Sequence, residues 1–131
     1  MVFLHEFSNF AWVPQHNGWY IDAKGNIYTF HAKRGQPTTL EPPVRVGHVP
    51  AGVLARERRL ILPASHGTLQ TRTTGADMGE DTFAAFLADA KGGSPRRIVL
   101  VMRGDLSGEN MTPAGQSLLA WLRSVAPRTT P

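Results

Sequence analysis

Apolar and polar positions along the chain fall into two kinds of spacing. In "GWYIDAKGNIYTFH" (Gly18–His31), two runs of aromatic and β-branched residues flank a polar tip. Such residues suit a pleated surface. Asp22 and Gly25 stand at the first and fourth positions of a type I turn, and Gly25 can take the left-handed conformation that closes a three-residue hairpin. This register pairs Asp22 with Asn26, Ile21 with Ile27 and Tyr20 with Tyr28. Trp19, Ile21 and Ile27 then share one face, and Tyr20 and Tyr28 the other.

"AKRGQPTTLEPPVRVGH" (Ala32–His48) reads as loop with a short strand at Val44–Val46. "PAGVLARERRLILP" (Pro50–Pro63) reads as one helix with a stripe of Val53, Leu54, Glu57, Leu60 and Ile61, ended by Pro63. "GTLQTRTTG" (Gly67–Gly75) alternates as a strand. "DTFAAFLADA" (Asp81–Ala90) fits both periods, and its composition favours helix. "RRIVLVMRGD" (Arg96–Asp105) has the β-branched content of a buried strand. Thr112 is an N-cap candidate and Pro113 a first helical residue. Leu118, Trp121, Leu122 and Val125 then recur at helical spacing. The expectation is one α+β domain over residues 1–126, with a flexible tail at 127–131. It would hold an antiparallel sheet of about four to six strands with about two helices packed on it.

Composition narrows the function. The 131 residues contain no cysteine, which excludes thiol catalysis, cysteine zinc sites and disulfide scaffolds. No apolar run approaches the roughly 18–20 residues of a membrane span. The opening "MVFLHEFSNF" lacks the features of a signal peptide. The expectation is therefore a cytoplasmic protein, or one whose leader has been removed. The net charge is +4. Arg56, Arg58 and Arg59 form the densest basic stretch, where nucleic acid would bind. A solvated helix face is the preferred reading.

Candidate chemistry is sparse. An EF-hand reading of Asp22, Lys24 and Asn26 fails, because lysines fall at the third and twelfth positions and glycine at the fourth. Tyr20, Tyr28 and Phe30 could share a face, but no Lys or Arg interleaves with them as a base-stacking platform requires. The five histidines, His5, His16, His31, His48 and His66, show no zincin spacing. Ser65 beside His66 is not a nucleophile–base pair, since neighbours in an extended chain point apart. Arg103-Gly104-Asp105 reads as the end of a strand. If a site exists, loop residues must build it, and the candidates are His16, His66, Asp77, Glu80 and Asp81. No cofactor motif is present.

Two parts of the chain resemble small uncharacterised bacterial proteins, many of them exported lipoproteins. The first is Phe10-Ala11-Trp12 followed by the Gly18-Trp19-Tyr20-Ile21-Asp22-x-x-Gly25-x-x-Tyr28 hairpin. The second joins Asp77 and Gly79, "TFAAFLADA", "IVLVMRGD", Asn110 and Trp121-Leu122. The resemblance implies a strand rather than a helix for "TFAAFLADA", and a periplasmic or cell-surface origin. It implies no activity. The leading functional expectation is a non-enzymatic binding or interaction module, with another protein as partner. A small hydrolase or metal-dependent enzyme is the alternative, and a toxin-neutralising or inhibitor protein a further one.

Overall fold

The turn at Asp22–Gly25 fixes the register at the middle of the fold. In the computed structural model, which describes residues 1–9, 15–75 and 79–128, Gly25 has φ +88° and its N–H donates to the Asp22 carbonyl at 3.0 Å. Asp22 Oδ1 accepts from the Lys24 and Asn26 N–H groups, both at 2.9 Å. Strand β2 (Gln15–Ile21) therefore meets β3 (Asn26–Lys33) with Ile21 opposite Ile27 and Tyr20 opposite Tyr28, as the turn chemistry predicts. The Tyr20 and Tyr28 rings stack at 5.2 Å, and Trp19, Ile21 and Ile27 are buried on the other face.

The remaining strands build outward from this hairpin. They are β1 (Phe3–Asn9), β4 (Gln36–Leu40), β5 (Val44–His48), β6 (Leu69–Thr73), β7 (Glu80–Leu87), β8 (Arg96–Gly104) and β9 (Leu106–Asn110). Their order is β4-β3-β2-β1-β7-β8-β9-β6, with β5 also pairing β3. Every recorded pairing is antiparallel. The sheet thus has nine strands among the described residues, against the four to six expected from the sequence. The additions are β1, β4 and β9, and β7 is a strand rather than the helix its composition favours. Strand β1 lies between β2 and β7, pairing Leu4 with Tyr20 on one side and with Ala84 on the other. Gly18 permits this close approach, because a Cβ there would collide with the His5 carbonyl oxygen across the ladder.

One face of the sheet carries the helices. Phe3, Trp19, Ile21, Phe83, Ala85, Ile98 and Val101 bury there against α3 (Pro113–Val125), which contributes Leu118, Leu119 and Leu122. Phe3 meets Trp121 edge-on at 5.3 Å. Thr112 caps α3 by accepting the Gly115 N–H at 3.0 Å. The expected single helix from Pro50 to Pro63 is instead α1 (Ala51–Arg58) and a one-turn α2 (Ile61–Ala64). Pro63 is the cause: it has no N–H for the Arg59 carbonyl, and its ring crowds that carbonyl, so the helix must break there. Leu54, Glu57 and Ile61 of the predicted stripe are buried all the same. Buried Asn110 ties the end of α2 to the start of α3. Its amide donates to the Ala64 carbonyl at 2.9 Å, and its Oδ1 accepts from the Thr112 N–H at 3.1 Å and hydroxyl at 2.6 Å.

No helix among the described residues is long and apolar enough to cross a membrane.

Candidate functional site

Strand alternation puts Phe3, His5 and Phe7 of β1 on the helix-bearing face. Phe3 is covered by α3, but His5 lies near the helix end, where the cover runs out. Across the ladders His5 faces Trp19 on β2 and Phe83 on β7. Its imidazole stacks on Phe83 at 4.3 Å and tilts toward Trp19 at 6.0 Å. Its Nε2 is 2.6 Å from Asp81 Oδ1, one diagonal step along β7. With Asp81 accepting from Nε2–H, Nδ1 is left as an acceptor, or as a second donor once the ring is protonated.

His5, Trp19 and Phe83 border a cleft of about 740 Å³, within the ordinary range for small-molecule sites, and Asp81 lies outside its lining. Trp19 and Phe83, largely buried and touching edge-to-face at 6.3 Å, form its floor, whereas the Phe30 ring packs with His16 and Tyr20 on the other face of the sheet. Asn17 and Thr29 supply polar groups from β2 and β3, and Val46 comes from β5. The last turn of α3 contributes Arg123, whose guanidinium carbon lies 5.8 Å from the Phe83 ring centre. Ala126–Arg128, just past the helix, complete the lining.

The opposite face of the sheet carries a second polar group. Glu6 Oε2 is 3.0 Å from His16 Nε2, and Glu6 Oε1 accepts from Arg97 at 2.8 Å. Partial burial pushes the Glu6 carboxyl up, but the hydrogen bonds and charges of His16 and Arg97 outweigh it and hold the group below its ordinary value. An apolar groove of about 480 Å³ adjoins it, lined in part by Leu4, Tyr20, Phe30, Leu40 and Pro43.

The candidates named from the sequence do not meet. Asp81 reaches the cleft through His5. Glu80 and His16 lie on the other face, each opposite Ser8 and separated by β1. His66 is exposed in the turn between α2 and β6, where its N–H donates to the Pro63 carbonyl. Asp77 and the Phe10-Ala11-Trp12 segment lie outside the described residues. Among the described residues, no three His, Asp or Glu side chains are grouped to hold a metal ion. On the basic stretch, Arg56 hydrogen-bonds the buried Glu57 beside it, at 3.3 and 3.4 Å.

Sequence reasoning missed His5 as a site residue. A signal was present: "FLHEF" alternates, and its parity places a histidine among inward-facing aromatics. Its partner, 76 positions away, becomes visible only when β1 inserts between β2 and β7.

No protein-family model matches the chain, and no curated protein or solved structure matches it significantly.

Proposed function

We propose that the protein is a small non-enzymatic binding module whose ligand site is the cleft beside His5 at the end of α3. One observation carries this reading: Trp19 and Phe83 border an open cleft that also offers His5, Asn17, Thr29 and Arg123. Apolar walls with a few convergent polar groups are what a ligand site requires, the walls supplying affinity and the polar groups orientation. A fragment screen followed by two-dimensional amide NMR tests it. Hits are expected to shift Asn17, Trp19, Thr29 and Arg123 together. Hits confined to other surfaces, or none at all, would refute it.

The resemblance to small exported bacterial proteins extends the proposal to the cell envelope. Fractionation of the source cells would place the protein in the periplasm or at the cell surface; recovery in the cytosol alone would contradict this part.

The His5–Asp81 contact favours hydrolysis as a second reading, because a carboxylate-held imidazole is how a general base is oriented. Turnover of a panel of activated esters that is lost in His5→Gln would support it.

A further inference from the structure

We infer that the outer edge of β6 is an interface for a second copy of this chain. The two copies pair β6 with β6, antiparallel across a two-fold axis at Thr71, so that one sheet runs through both. None of the β6 residues lines the cleft, and the inference stands apart from the ligand site.

The contrast between the two sheet edges is the first argument. Among the described residues the sheet ends at β4 and β5 on one side and at β6 on the other. An open edge invites pairing with another chain, and proline, bulges and charge are what blunt it. The β4–β5 edge has such devices. Pro37 lies within β4, Pro43 stands directly before β5, and both ladders to β3 shift register, one between Ala32 and Lys33 and the other between Ile27 and Tyr28. Strand β6 has none of them. It contains no proline, pairs β9 in unbroken register, is exposed from Gln70 to Thr73, and carries one charge, Arg72.

Register is the second argument. The Thr74 N–H donates to the Asp105 carbonyl at 2.9 Å, so by alternation Arg72 and Gln70 also turn their backbone groups toward β9. Leu69, Thr71 and Thr73 turn theirs outward. In an antiparallel pair centred on Thr71, the two Thr71 residues meet, each Leu69 meets the partner's Thr73, and every outward N–H and C=O finds a partner. The side chains suit this register. On one face Thr71 stands beside Thr71, a pairing that strengthens antiparallel ladders. On that face the partner's Leu69 also comes next to Leu106, which a single copy leaves 42% exposed. On the other face the row runs from Ser107 through Arg72 to the partner's Gln70 and the partner's Glu109. Arg72 is thus carried toward a carboxylate that meets Arg103 at 3.6 Å in its own chain, and no like charges stand directly opposite each other.

Sedimentation velocity of the full chain from micromolar to millimolar concentration tests the inference. The parent should pass from monomer to dimer as concentration rises, within the weak range that a small interface gives. Thr71→Lys and Thr71→Glu each place like charges face to face at the axis. Each should stay monomeric throughout with a nearly unchanged melting temperature, because Thr71 is exposed, and an equimolar mixture of the two should recover the dimer. Cysteine reports the geometry, since the chain has none of its own. The axis sets the two Cα atoms of Thr71→Cys about 5.5 Å apart, within disulfide reach, and those of Thr73→Cys about 14 Å apart. Mild oxidation should therefore link Thr71→Cys into dimers and leave Thr73→Cys unlinked. A parent that is monomeric at millimolar concentration would overturn the inference. So would a dimer that survives either charge variant, a mixture that stays monomeric, or cysteine variants that cross-link equally or not at all.

Discussion

Replacing Gly25 by alanine should destabilise the protein more than the same change at Gly35 or Gly92, although all three glycines have similar backbone angles. Their φ values are +88°, +75° and +77°. An L-residue in this left-handed region costs about 1 kcal/mol. At Gly35 and Gly92 that is the whole effect, since a Cβ would meet nothing within 4 Å. At Gly25 the Cβ would stand 2.5 Å from the Val49 carbonyl oxygen. Backbone must then move, and it is backbone that matters: the Val49 N–H donates to the Gly25 carbonyl at 2.8 Å, and Val49 is buried just before α1. Weakening that hydrogen bond and shifting Val49 adds about 1–2 kcal/mol, giving about 2–3 kcal/mol in all. For a chain of this length each kcal/mol moves the melting temperature by about 3–4 °C. Gly25→Ala should therefore melt about 6–12 °C lower than the parent, and Gly35→Ala and Gly92→Ala about 3–4 °C lower. Thermal unfolding followed by circular dichroism, with urea titration as a second measure, reads the difference. Equal losses at all three positions would refute the contact between the β2–β3 turn and the segment leading into α1.

Asn110→Ala should cost about 2–4 kcal/mol in urea unfolding, because it leaves the buried Ala64 carbonyl and the Thr112 N–H without their partner; a loss below about 1 kcal/mol would show that Asn110 does not tie α2 to α3. Acid should expose the Glu6 contribution. Its carboxyl lies below the ordinary value in the fold, so the unfolded chain takes up the proton first as pH falls. The stability it contributes is complete above the ordinary carboxylate range and is lost as pH drops through the lowered value. The urea midpoint of the parent should therefore fall more between neutral pH and about pH 3 than that of Glu6→Gln; equal falls would show that His16 and Arg97 do not hold Glu6 ionised.

Local chemistry explains what could be read from the sequence. The β2–β3 register follows from Asp22 and Gly25 within a few residues, and the start of α3 from Thr112 and Pro113. Strand β7 was ambiguous because Phe83, Ala84 and Ala85 are all buried, so neither face leaves a polar mark. Strand β1 owes its existence to partners on both sides, since the alternation of Phe3, His5 and Phe7 is too short to announce a strand by itself. Strand β4 reads as loop because it carries Pro37, which an edge strand tolerates, and β9 leaves no strand pattern because it carries Gly108, where a Cβ would press on the Gln70 carbonyl oxygen. The candidate site was the least legible part. Its residues come from β1, β2, β3, β5, β7 and the end of α3, so only the strand order brings them together. Loops are where the sequence leads one to expect chemistry, whereas the His5–Asp81 pair lies on paired strands.

A crystal structure with the tightest-binding fragment present bears most directly on the claim that the cleft at the end of α3 is the ligand site. The fragment is predicted to lie in that cleft, within hydrogen-bond reach of His5 or Arg123. A fragment bound on any other surface, with the cleft empty, would contradict it.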